Sequence, residues 1–312
     1  MSIERKDFIS MKDITKDEIM GILTTAETMR DIIRKYKKRP AYLRDKTVIM
    51  LFDNAMSRNK LAYELAGKYL GANIVDMQVG NSKDYGSLKD VGRIIDQMGG
   101  DFIVLRSPMS GSAKFLAENV SAGVINAGDG VNENPPQALL DLLTIKDIKG
   151  SFEGLKVTIV GNIINSRVAR SNIWALSKLG AKVSVASAPT LISDNLSEIG
   201  VNVHYDILKA VEDCDVILSL RMDFENDEEK LIPSINEYKK LFGINKRVLS
   251  YAKEDVIVMH PGPIRTGIEI SGEIIESKHC FFDDQITNGV AVRMALLYLL
   301  SVREGVNYEI VD

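Results

Sequence analysis

Nine short apolar runs, rich in β-branched residues, recur along this 312-residue chain about every 25 to 30 residues, with amphipathic stretches between them. In the first half they are Thr47–Phe52, Asn73–Gln78, Asp101–Arg106 and Gly123–Ala127. In the second half they are Lys156–Gly161, Lys182–Ala186, Val201–Tyr205, Asp215–Leu220 and Val256–His260. The spacing suits strand–helix–strand units, because a neighbouring parallel strand is reached only through a crossover of a dozen or more residues. Most runs are continuously apolar rather than alternating, which reads as parallel strands covered on both faces. The chain is therefore read as α/β.

Between the runs lie helical patterns. Leu61, Leu65 and Tyr69 recur at i, i+4 and i+8, which predicts one buried helix face over Leu61–Gly71, with Gly71 as the stop. The segment NAGDGVNENPPQ, residues 126–137, breaks the rhythm, and Pro135 and Pro136 suit the start of a helix over Gln137–Ile148. We expect two doubly wound parallel-sheet domains, residues 1–133 and 134–287. The last helix, about Asn288–Val302 within 288–312, is expected to return to the first domain. In such sheets ligands bind beyond the carboxyl ends of the strands, so an interdomain cleft there is the expected site.

Several function classes fall away. Cys214 and Cys280 are too few for a disulfide framework or a four-cysteine zinc site, and neither a metal nor a cofactor is expected. With 39 basic and 43 acidic side chains the formal charge is −4, which argues against nucleic-acid binding through a basic face. The start MSIERKDFISMKD lacks the apolar core of a signal peptide, and no run reaches the ~18 residues of a membrane span, so a cytoplasmic protein is expected. The turn TIVGNIINSRVARSN, residues 158–172, has the single glycine Gly161 where a dinucleotide fingerprint has three, and no P-loop or G-x-S-x-G elbow is present.

Polar residues collect just after the apolar runs. Ser57, Arg58 and Asn59 follow the first run at a helix start, where backbone N–H groups and the helix dipole favour an anion; taken alone, the segment is better accounted for by plain capping with Arg58 solvated. Arg106 and Ser107 end the third run. Asn134 and Gln137 straddle the start of the hinge helix, three residues apart. Arg167 and Arg170, also three apart, can share a helix face suited to a carboxylate. Arg221 follows the run ending at Leu220, and His260-Pro-Gly-Pro forms a stiff turn that would bring His260 to the cleft.

The ordered set LRSP, NAGDG…NPPQALLDLLTI, FEGLKVTIVGNI…SRVARSN, HPGPIRTGIEI and NGVAVRMALLYLL resembles the aspartate carbamoyltransferase catalytic chain, within the aspartate/ornithine carbamoyltransferase family. The similarity runs from about residue 45 to 300 with motifs in order. SRVARSN and HPGP point to the aspartate branch. The resemblance implies transfer of a carbamoyl group from carbamoyl phosphate to an amino-acid amine, in a homotrimer with active sites shared between subunits. It implies a phosphate turn at Met56, Ser57, Arg58 and Asn59, and a carbamoyl-polarising set of Arg106, Asn134 and Gln137. Ser82 and Lys83, within GNSKDYGSL, would come from a neighbouring chain. Arg167, Arg221, Gly262 and Pro263 would meet the amino acid.

The departures from the family pattern cluster on the donor side. Met56 replaces a serine, Asn59 a threonine and Lys60 an arginine. Asn134 stands where the family has its histidine, and His204, His260 and His279 all lie elsewhere in the sequence. An asparagine NH₂ still donates a hydrogen bond to a carbamoyl oxygen. On the acceptor side Asp223 replaces a glutamine, and its charge would repel a carboxylate and attract an amine. Two readings follow: a working transferase for aspartate or a close relative, with carbamoyl phosphate or a similar acyl phosphate as donor, or a catalytically weak paralogue with a ligand-binding, regulatory or assembly role. Retention of Arg58, Arg106, Gln137, Arg167 and Arg221 favours the transferase. Whether a regulatory chain joins the assembly is not legible.

Overall fold

In the computed structural model, which describes residues 4–34, 40–53, 58–78, 86–222, 224, 231 and 234–302, each of the nine apolar runs forms a strand. All pairings between these strands are parallel. The chain divides into two compact units, residues 1–143 with 287–312, and residues 144–286.

The first unit carries β1 (Thr47–Phe52), β2 (Asn73–Gln78), β3 (Phe102–Ser107) and β4 (Gly123–Asp129), in the order β2-β1-β3-β4. Its helices are α1 (Lys16–Arg34), α2 (Arg58–Leu70), α3 (Leu88–Gln97), α4 (Ser112–Ala117) and the start of α5 (Pro135–Lys149). From β1 the chain winds to β2 on one side and then to β3 on the other, so the winding reverses between β1 and β3. Ile49, Leu51, Ile103 and Leu105 of the sheet pack with Val91 and Ile95 of α3 and Leu116 of α4. Full burial of each such side chain stabilises the fold by roughly 1.5–3 kcal/mol.

The second unit carries β5 (Lys156–Val160), β6 (Lys182–Ala186), β7 (Asn202–His204), β8 (Val216–Ser219) and β9 (Ile257–Met259), in the order β7-β6-β5-β8-β9. Its helices are α6 (Arg167–Lys178), α7 (Ile207–Ala210), α8 (Ile235–Phe242), α9 (Lys246–Leu249) and α10 (Gly272–Ile275). Here the winding reverses between β5 and β8. Val160, Ile217 and Val258 share a core with Tyr238 and Phe242 of α8. Gly161, at φ +132°, lets β5 end against Leu220, whose Cβ would lie 2.9 Å from any Cβ added there. That close approach accounts for the lone glycine of this turn without a pyrophosphate.

The last described helix, α11 (Phe282–Ser301), begins earlier than the expected start near Asn288. It returns to the first unit, where Arg30 Nη1 on α1 donates to Asn288 Oδ1 at 2.9 Å and the Tyr42 and Tyr298 rings lie 4.9 Å apart. The division between units falls within α5, between Leu143 and Thr144, so Asn134 and Gln137 belong with the first unit. Pro135 opens α5, where a missing N–H costs nothing.

One helix face needs correction. The buried stripe of α2 is Tyr63, Ala66, Gly67 and Leu70, whereas Leu61 is 54% exposed. Both stripes have helical spacing, and close packing decides between them. Gly67 lets the helix press on β2, because a Cβ there would meet Ile74 Cδ1 at 2.2 Å, and the Tyr63 ring packs edge-on to Phe52 at 6.5 Å. Among the described residues no helix is long and apolar enough to cross a membrane.

Candidate active site

In a doubly wound sheet the strand-end loops diverge where the winding reverses, which opens room for a ligand at that point. In the first unit Asp53 and Arg106 flank that point. Asp53 N donates to Arg106 O at 3.3 Å, and Arg106 Nε lies 3.8 Å from Asp53 Oδ1. Burial lowers the Arg106 guanidinium from its ordinary value, and the Asp53 charge opposes that shift. Arg58, the first residue of α2, is exposed, and the first N–H groups of that helix have no acceptor within it. A helix start of this kind favours an anion.

The neighbours of Arg58 are more committed than the sequence suggested. Asn59 Nδ2 donates to Ala127 O at 2.8 Å, and its Oδ1 accepts from Arg293 Nε at 3.2 Å and from Arg293 Nη2. The Asn59 side chain, expected in the phosphate turn, is thus engaged by protein groups. Lys60, 8% exposed, pairs with Asp76 Oδ2 at 2.5 Å.

The loop from β4 to α5 is tied by two buried carboxylates. Asp129 accepts from Gly111 N at 2.8 Å, Glu133 N at 3.1 Å and Asn126 Nδ2 at 2.8 Å. Glu133 accepts from Met11 N at 3.0 Å and from Ser10 Oγ. This fixes the buried Asn134 at the head of α5, where its carbonyl accepts from Gln137 N at 3.1 Å and Ala138 N at 3.3 Å. Gln137 Nε2 donates to Asp141 Oδ1 at 3.0 Å, one turn along the helix.

In the second unit Arg167 is the first residue of α6, whose N-terminus is capped by Ser166 Oγ accepting from Ala169 N at 3.1 Å. Arg167 is half-buried and Arg170 exposed. Arg221 is exposed just beyond β8. These arginines follow β5 and β8, the two strands between which the winding reverses.

The turn carrying Gly262 and Pro263 is organised by a residue that the sequence did not single out. Glu269, fully buried, accepts from Met222 N at 2.7 Å on Oε1, and from Arg265 N at 2.8 Å on Oε2. His260 Nε2 lies 2.9 Å from the same Oε2. Gly262 N donates to His260 Nδ1 at 2.8 Å, so the ring proton is assigned to Nε2, which donates to Glu269. His260 N donates to Gln285 Oε1 at 3.0 Å. His260, expected to be brought to the cleft, is 1% exposed and braces the turn. Glu269 thereby joins the segment beside Arg221 to the Gly262-Pro263 turn.

Met56, Ser57, Ser82, Lys83 and Asp223 lie outside the described residues. Arg293 was also missed, although a lone cation in the apolar run VAVRMALLYLL was a signal, as was the lone carboxylate in GIEI for Glu269.

Two parallel-sheet units, each with arginines at the carboxyl ends of the strands where its winding reverses, define a protein suited to two small anionic ligands. Residues 6–147 match the family described as "Aspartate/ornithine carbamoyltransferase, carbamoyl-P binding domain", and residues 153–300 match "Aspartate/ornithine carbamoyltransferase, Asp/Orn binding domain". The chain is 47% identical over 314 aligned positions to the aspartate carbamoyltransferase catalytic subunit of Ruminiclostridium cellulolyticum, covering 100% of both chains. The catalytic subunit of M. jannaschii aspartate transcarbamoylase has a similar structure, with a TM-score of 0.84 and 31% identity over 97% of this chain and 100% of that one. Ornithine carbamoyltransferase from Pyrococcus furiosus gives a TM-score of 0.86 and 29% identity over 98% of this chain and 100% of that one. The chain belongs to the aspartate/ornithine carbamoyltransferase family and is a transferase.

Proposed function

We propose that the protein transfers the carbamoyl group of carbamoyl phosphate to the amine of L-aspartate. The reading is carried by one observation: each unit has its cationic set beside its own winding reversal, in the half that matches the corresponding family domain. On the donor side the backbone N–H groups of Arg58 and Asn59, the Arg58 guanidinium, Ser57 and Ser82 bind the phosphate. Arg106, the Asn134 amide and Gln137 donate to the carbamoyl oxygen, with Lys83 supplying a further cation. On the acceptor side Arg167 and Arg221 bind the carboxylates, the backbone at Gly262 and Pro263 lines the amino acid, and the Asp223 charge attracts the amine.

The aspartate amine attacks the carbamoyl carbon, negative charge builds on the carbamoyl oxygen, and the bond to the phosphate oxygen breaks, with the proton shed by the amine taken up by the departing phosphate. Donors aimed at that oxygen stabilise the charge as it develops. Two arginines suit a dicarboxylate better than a diamino acid, and the relative from R. cellulolyticum carries the aspartate name, which supports aspartate over ornithine. That it is named a catalytic subunit supports turnover over a purely regulatory role. Ser82 and Lys83 act from a neighbouring copy in a homotrimer, and the product serves pyrimidine synthesis in the cytoplasm. The test is formation of N-carbamoyl-aspartate and phosphate, with ornithine as the comparison acceptor. Turnover with ornithine but not aspartate would overturn the assignment.

A further inference from the structure

Arg293 lies on α11 and is 3% exposed. Its partners are all neutral. Nη1 donates to Gly289 O at 2.5 Å, Nε and Nη2 donate to Asn59 Oδ1, and the guanidinium carbon sits 4.9 Å from the centroid of the Tyr63 ring. Among the described residues no carboxylate lies within ion-pair distance of it, and it has no further partner. Burial lowers its pKa, and the neighbouring Tyr63 opposes that shift.

A buried charge without a counter-ion is costly, and three hydrogen bonds and a ring face offset only part of that cost. Leucine or methionine would fill the position without it. The contact with Asn59 shows where the charge is directed. Asn59 is the second residue of α2, next to Arg58, and its amide is clamped between Arg293 and Ala127 O. The guanidinium therefore sits one side chain away from the first turn of α2.

We infer that Arg293 is a positioning residue of the phosphate site, whose charge has no counter-ion among the described residues because the phosphate bound at the start of α2 supplies it. This rests on the reading of that helix start as the donor site. The Asn59 bridge holds the first turn of α2 in register, and the cation adds attraction for phosphate across a low-dielectric interior. Inorganic phosphate and the phosphoryl group of an acyl phosphate share the chemistry required.

The test measures inorganic phosphate binding by calorimetry on the full chain for Arg293→Met, Arg293→Lys and Arg58→Ala. Arg293→Met is expected to weaken phosphate about 10- to 100-fold, and Arg293→Lys, which keeps the charge, to stay within about threefold of wild type. A purely structural arginine would not be rescued by lysine. Wild-type affinity in Arg293→Met would overturn the inference, and so would equal weakening in the methionine and lysine variants. If Arg58→Ala also leaves phosphate binding unchanged, the donor-site reading fails with it; if only Arg58→Ala weakens binding, the inference alone fails. Should Arg293→Met not yield folded protein, Arg293→Gln, which keeps a donor for Asn59 without the charge, is read by the same criteria.

Discussion

Replacing Glu269 by glutamine keeps the side chain's volume and changes one oxygen into a donor. The two carboxylate oxygens carry unequal loads: Oε2 accepts from Arg265 N and His260 Nε2, and Oε1 only from Met222 N. The imidazole cannot shift its proton to Nδ1 without losing the bond from Gly262 N. The amide oxygen therefore takes the Oε2 side, and the new NH₂ faces the Met222 N–H. Orphaning that buried N–H costs about 1–3 kcal/mol, and loss of charge assistance on the other two bonds adds about 1–2 kcal/mol. The total is about 2–5 kcal/mol, concentrated beside Arg221. Trp174, the single tryptophan, lies on α6 in the same unit and reports its unfolding in urea by fluorescence. Glu269→Gln is expected to lower the unfolding free energy by that amount and to raise the aspartate KM about tenfold through the displaced Arg221 segment. Unfolding within about 0.5 kcal/mol of wild type, with an unchanged aspartate KM, would refute the reasoning.

Two further outcomes are expected. At the start of α3 the Ser87 hydroxyl and backbone N–H hold the Asp90 carboxyl below its usual range. A depressed folded pKa means that its stabilisation is present above about pH 4 and is lost as the pH falls through the folded value. The melting temperature gap between wild type and Asp90→Asn should therefore be constant above about pH 4 and narrow as the pH falls further, and a gap that does not narrow in acid would contradict the capping role. On the donor side Asn134→His is expected to raise kcat with carbamoyl phosphate and aspartate about tenfold, less than the ~10²–10³ for an oxyanion donor removed outright. An unchanged kcat in steady-state assays would remove Asn134 from carbamoyl polarisation.

The strands were legible because buried parallel strands write continuous β-branched runs, and Thr47–Phe52, Asn73–Gln78 and Lys182–Ala186 carry the same bounds in sequence and structure. The Pro135 start of α5 was legible for an equally local reason. The buried face of α2 was not, since Leu61–Leu65–Tyr69 and Tyr63–Ala66–Leu70 have comparable spacing and only the Gly67 contact with Ile74 separates them. Arg58, Arg106, Arg167 and Arg221 could be singled out because each follows an apolar run. Glu269 and Arg293 could not be given roles, because their partners are backbone N–H and C=O groups and neutral side chains, one of them more than two hundred residues away. Hydrogen bonds to other protein groups likewise engage the Asn59 side chain and His260, which local sequence could not show.

Division of labour between the units is tested most directly by steady-state kinetics of Arg58→Ala and Arg221→Ala, varying carbamoyl phosphate and L-aspartate in turn. Each lost charge-assisted contact is worth about 1.5–3 kcal/mol, or roughly 10- to 100-fold in the constant that it serves. Wild type should form N-carbamoyl-aspartate, with Arg58→Ala raising chiefly the carbamoyl phosphate KM and Arg221→Ala chiefly the aspartate KM. No product from wild type, or two variants that leave both constants unchanged, would contradict a donor site on the first unit and an acceptor site on the second.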